Sequence, residues 1–188
     1  MEKVELKTKN KIHPHKLTLW MAIGSIVMMF AGLTSAYIVK RNQGDWRSFE
    51  IPDAFWFSTI VILISSATMH FALKAFKARE MKRYRMWMMV SVVLGVLFLT
   101  IQTVGFLQLK QSGLGLDAHV AVSFLWVIVM LHAAHIVGGV LAMVFMSIRA
   151  YSRRRKNYSV VPLELISTYW HFVDVLWIYL LVFLLIIK

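Results

Sequence analysis

Five stretches of this chain are long, apolar and almost free of charge: Leu17 to Val39, Ala54 to Leu73, Met86 to Leu109, Ala118 to Ile148 and Leu163 to Ile187, with Glu164 and Asp174 as the only acidic residues inside them. A helix needs about 20 predominantly apolar residues to cross a hydrocarbon core of about 30 Å, so each stretch can span a bilayer. The connectors are short and polar and leave no room for a soluble domain. The pattern predicts an all-α integral membrane bundle of five transmembrane helices: a basic N-terminal segment over residues 1–16, then a single membrane domain over 17–188. Pro14, Pro52 and Pro162 fall outside the five runs, so no span is expected to be broken. The first run is too long for a signal-peptide core and ends in Lys40 and Arg41 without a good cleavage site, so it is expected to stay in the mature protein.

Composition agrees. The chain is 59% hydrophobic and 16% charged, against about 45–50% and about 25% for a soluble domain. Its formal net charge of +12 does not point to nucleic acid, since so apolar a chain cannot spare a soluble basic reading surface. The charge is better read as topology. Sixteen of the 21 lysines and arginines fall on one side, in the N-terminal segment, the connector after the second span and the connector after the fourth. Basic loops stay in the cytoplasm, which predicts a cytoplasmic N-terminus and an outer C-terminus. The run Arg153, Arg154, Arg155 and Lys156 is expected to meet anionic lipid headgroups. The absence of cysteine removes disulfides, thiolate-bound metals and iron–sulfur clusters.

Ionisable groups inside a bilayer are costly and mark function or helix contacts. Asp174 lies near the middle of the fifth run, where an aspartate costs about 2.5–3.5 kcal/mol to insert, so it must be paired or protonated. His171 lies one turn earlier on the same face. The pair could relay protons, bind metal or form a hydrogen-bonded clasp. The clasp is the expected reading, because a metal would need further ligands at the same depth. In the fourth run His132 and His135 repeat the i, i+3 spacing, followed by Gly138 and Gly139, and Ala134, Gly138 and Ala142 form a stripe of small residues. The stripe predicts close packing of another helix, with the histidines hydrogen-bonding across the contact. A haem between histidines is not expected: His119 and His132 share a helix, but no second span offers a matching pair. Glu164 follows Pro162 and suits the first turn of a helix. Gln102, Gln108, Ser65 and Ser66 read as interhelical hydrogen-bonders, and the many Met and Trp residues as lipid-facing packing and interfacial anchors.

The run Tyr169-Trp170-His171-Phe172-Val173-Asp174-Val175-Leu176-Trp177 closely resembles the signature of the cytochrome c oxidase subunit III family. Other segments resemble the family in the same order: SIVMMFAGLTSA from Ser25 to Ala36, ISSATMH from Ile64 to His70, Leu94-Gly95 with Phe98 and Gln102, and HAAHIVGG from His132 to Gly139. The resemblance covers all five runs. It implies a non-redox subunit in the inner (cytoplasmic) membrane of a bacterium. It would pack on the catalytic haem-copper subunit I and the other oxidase subunits, hold no cofactor of its own while haem and copper sit in its partners, bind phospholipid, and support proton uptake and resistance to inactivation during turnover. On this reading His132, His135, Gly138, Gly139, Trp170, His171, Asp174 and Trp177 are interhelical or subunit-contact residues. Two positions depart from the family: Ile26 and Gly105 stand where glutamates are usual, so roles carried by those acids do not transfer. The two extra N-terminal helices of the longest members have no counterpart here. The related accessory subunit of nitric oxide reductase, a small transporter or channel, and an intrinsic membrane cytochrome are the competing readings.

Overall fold

The structure, a computed structural model, describes residues 14–41, 53–111, 113, 120–151 and 159–187. These residues form five helices and no strand: α1 (Pro14–Arg41), α2 (Asp53–Lys77), α3 (Met81–Gln111), α4 (Val120–Tyr151) and α5 (Val161–Ile187). All five are long and apolar enough to cross a membrane. Even the shortest, with 25 residues, reaches about 37 Å at 1.5 Å per residue, more than the hydrocarbon core requires.

At the basic end the helices outrun the uncharged stretches. α2 continues past Leu73 to Lys77, and α3 begins at Met81 rather than Met86. Long basic side chains allow this, because their stems lie along apolar surface while the charged tips reach the headgroups. Two prolines sit within first turns, Pro14 as the first residue of α1 and Pro162 as the second of α5, where no backbone donor is needed. Ser159 Oγ accepts the Val161 N–H at 3.3 Å beside Pro162. The turn between α2 and α3 is closed by Glu80 N–H to Ala75 carbonyl and Arg79 N–H to Phe76 carbonyl, each 3.0 Å, with Arg79 left-handed at φ 59°. This is the Schellman end of a helix, with arginine where glycine is usual.

α2 and α3 pack as a tight antiparallel hairpin. Small hydroxyls line their seam: Thr68 Oγ1 and Ser91 Oγ are 2.8 Å apart, Ser65 Oγ donates to the Ser91 carbonyl at 3.3 Å, and Gln102 Nε2 donates to Ser58 Oγ at 2.8 Å. α3 also packs on α4, while α5 packs on α1, α2 and α4; α1 makes no close backbone approach to α2. The helices therefore run α1, α4, α3, α2 around α5, with an opening between α1 and α2 that α5 floors. The most apolar window of α5 is 44% buried and that of α1 only 22%, which makes α5 the centre and α1 the outermost element.

Two indoles one heptad apart fix α5. Trp170 is fully buried and lies between glycines of two other helices: a Cβ at Gly139 of α4 would come 2.9 Å from its Cε3, and one at Gly95 of α3 would come 3.0 Å from its Cη2. Trp177, also fully buried, donates Nε1 to Thr59 Oγ1 of α2 at 3.0 Å and packs edge-on against Phe55 and Phe98. The expectation that Trp and Met face lipid holds for part of the set, Met21, Met28, Met86, Met89 and Met130 being exposed. Trp20 and Trp56 are exposed, but Trp170, Trp177, Met69, Met88 and Met143 are core residues, because close contact between helices in lipid depends on shape-matched packing and not on expulsion of water.

α1 is held by Thr34 Oγ1 to Tyr179 OH at 3.1 Å, by Tyr37 packed edge-on to Phe124 and Phe183, and at its start by an ion pair from Lys16 to Glu164, 3.1 Å. Glu164 also binds Lys77 of α2 at 2.9 Å, so one carboxylate joins α1, α5 and α2 where α1 and α2 stand apart. Two outcomes follow from this packing. Gly139→Ala must displace the Trp170 ring and is expected to destabilise the chain by about 1–3 kcal/mol, whereas Gly138→Ala, with its nearest neighbour 4.0 Å away, should stay within about 0.5 kcal/mol; thermal unfolding of the detergent-solubilised variants compares them. Glu164→Gln should destabilise the chain by less than about 1 kcal/mol in the same measurement, since its lysines are about half exposed.

Candidate functional site

One helical face of α5 carries Glu164, Ser167, His171 and Asp174, spaced three, four and three residues apart, which stacks them along the opening between α1 and α2. The opening forms a groove of about 420 Å³ at the basic end, lined by Lys16 and Trp20 of α1, His70 and Lys77 of α2, and Glu164 and His171 of α5. Deeper along the same face Asp174 is 2% exposed. Neither of its oxygens has a formed hydrogen bond, and among the described residues no ion pair reaches it. The Ser66 hydroxyl lies beside the carboxyl but is engaged by His171 Nδ1 at 2.6 Å.

This geometry alters the expected clasp. His171 does not bond Asp174 along α5; its partner is Ser66 of α2, so the link runs between helices. Ser66 had the sequence signal only of an ordinary interhelical hydroxyl, and nothing in a single sequence aligns it with a histidine 105 residues away. Glu164 differs likewise. It occupies the first turn of α5, but its carboxylate is spent on two lysines from other helices.

The α4 histidines are also placed differently from expectation. His135 Nδ1 turns back to the Leu131 carbonyl of its own helix at 2.7 Å, and it is the His135 carbonyl that bridges to α5, accepting Tyr169 OH at 3.1 Å. His132 is 1% exposed and has no hydrogen bond on either ring nitrogen. Its ring stacks on Trp177, 5.3 Å between centroids, with Phe30 and Phe98 edge-on. The contact is therefore made by ring packing. Nor does the small-residue stripe make it. Ala134 and Gly138 are exposed and Ala142 half-buried, while Gly139, one residue round the helix, takes Trp170.

Among the described residues no three His, Asp or Glu side chains stand together as a metal-binding group. His132 is enclosed by the rings of Phe30, Phe98 and Trp177. The two family departures have physical counterparts. Ile26 packs half-buried against the core, and at Gly105 a Cβ would meet Phe55 Cε1 at 3.0 Å and Ala54 Cβ at 3.2 Å, so a glutamate there would require Phe55 to move. Arg153, Arg154, Arg155 and Lys156 lie outside the described residues.

The family model for cytochrome c oxidase subunit III matches residues 45–187. The chain is 30% identical to cytochrome c oxidase subunit 3 of Corynebacterium diphtheriae over 84% of its own length and 83% of that protein. It is 28% identical to cytochrome c oxidase subunit 3 of Bacillus subtilis over 95% and 87%, and 26% identical to a probable quinol oxidase subunit 3 of Staphylococcus saprophyticus over 88% and 85%. The chain is a multi-pass membrane protein that belongs to the cytochrome c oxidase subunit III family.

Proposed function

We propose that the chain serves as the non-redox third subunit of a bacterial haem-copper terminal oxidase, packing on the catalytic subunit and stabilising it during oxygen reduction. The observation that carries this reading is the family match over residues 45–187, which takes in the seam where Trp170 and Trp177 join α5 to α2, α3 and α4. Haem and copper in the neighbouring subunits supply the oxygen chemistry. The residues of this chain hold a rigid apolar body against them: the indoles fix the helices, Glu164 ties the ends, and the outer faces of α1 and α4, with exposed Met28, Leu141 and Phe145, meet lipid or partner helices. Phospholipid headgroups would meet Lys16, Lys77 and the run from Arg153 to Lys156 at the basic end.

The charge asymmetry supports a cytoplasmic N-terminus in the inner membrane. Five unbroken helices weigh against a transporter, whose substrate sites are typically built on interrupted ones. The relatives named above, cytochrome c and quinol oxidase subunits, favour an oxidase over nitric oxide reductase.

Purification through a tag on this chain in mild detergent is expected to recover a haem-copper subunit with a reduced-minus-oxidised haem spectrum; recovery of the chain alone would overturn the assignment. Orientation has a direct test, because the chain has no cysteine of its own. Gln111→Cys should react with a membrane-impermeant maleimide in intact spheroplasts and Ala78→Cys only after permeabilisation. The reverse pattern would invert the topology.

A further inference from the structure

We propose that Asp174 is a reversible proton-binding site within the membrane, loaded from the basic end of the bundle through His171 and Ser66. It goes beyond the assembly role and stands on the bundle alone, whichever subunits accompany the chain. A carboxyl that is 2% exposed, with no ion pair among the described residues, is tolerated inside a span as the neutral acid. It therefore carries a proton, and the structure provides a route for that proton to exchange.

The route has two short steps. His171 lines the groove, and its Nδ1 lies 2.6 Å from Ser66 Oγ. A hydroxyl accepts one hydrogen bond while donating another, so Ser66, beside the Asp174 carboxyl, can take a proton from the ring and pass its own to the carboxylate, or run the exchange in reverse. The groove of about 420 Å³ has room for several waters, each occupying about 30 Å³ in the liquid, and so brings solvent to the ring. The charged and titratable groups facing this route are Lys16 of α1, His70 and Lys77 of α2, and Glu164 and His171 of α5.

Beyond Asp174 the face is closed. Trp177 is fully buried, packed against Phe55 and Phe98 and, across its face, His132 of α4, and its one donor is fixed on Thr59. The site therefore communicates with one side of the membrane and exchanges protons without conducting them across.

Infrared spectroscopy of the full chain in the complex in which it purifies tests this. The expected result is a protonated-carboxyl C=O band that is absent in Asp174→Asn and shifts when the sample is moved into D2O. The half-time of that shift should lengthen at least tenfold in Ser66→Ala and in His171→Phe, and change less than twofold in Thr59→Val, beyond Trp177. Where Asp174→Asn fails to assemble, the displaced band of Asp174→Glu gives the assignment. Absence of any Asp174-dependent band, a band that does not respond to D2O, or equal half-times in wild type and Ser66→Ala would each overturn the proposal. Because the band reports the carboxyl itself, this result is separate from the identity of the co-purifying subunits.

Discussion

The bundle depends on one close approach, the Trp170 indole held between Gly95 of α3 and Gly139 of α4. Lipid tails are as apolar as leucine, so burying a side chain between transmembrane helices gains little from leaving the solvent; what favours association is contact that lipid cannot match in density. A flat, rigid ring against two backbones without Cβ atoms supplies such contact, and it sets the depth and rotation of α5 against two helices together. Trp177, seven residues on, repeats the device against Phe55, Phe98 and His132, with a hydrogen bond to Thr59 fixing the ring. With α5 placed, α1 needs only a few contacts, and the opening beside α2 becomes a groove.

The spans were readable from the sequence because the bilayer imposes a length and a polarity that a chain satisfies residue by residue. Their ends were less so: Lys74, Lys77, Lys82 and Arg83 lie in helices and not in connectors, since a long basic side chain lets a helix continue into the headgroup layer. Asp174 stood out from its insertion cost alone. Its surroundings did not, because its neighbours are set by packing between helices. The i, i+3 spacing correctly puts His171 and Asp174 on one face but cannot tell that Ser66 comes between them. The glycine pair shows the same limit: Gly138 and Gly139 are adjacent, yet about 100° of helix rotation sends one outward and the other onto Trp170. The small-residue stripe lies on a face of α4 that is exposed at Ala134 and Gly138 in this chain, while Gly139 makes the contact with α5.

Along α5 the acidic residues and the histidine lie toward its first half. Glu164 with its two lysines, His70 and His171 lie around the groove, while the other half of α5, from Leu180 to Leu185, is apolar. Ile26 lies against the core and Gly105 against Phe55, and among the described residues Asp174 is the one fully buried acid. Such a chain suits a subunit that gives shape and stability to a redox partner while contributing no redox centre.

The most direct test of that account is to remove the chain from the purified oxidase and follow oxygen consumption through many turnovers. The account predicts that the remaining complex keeps its haem and copper and begins reducing oxygen at a rate near that of the intact enzyme, then loses activity sooner. Loss of the metal centres' spectra, failure from the first turnover, or an unchanged working lifetime would contradict it.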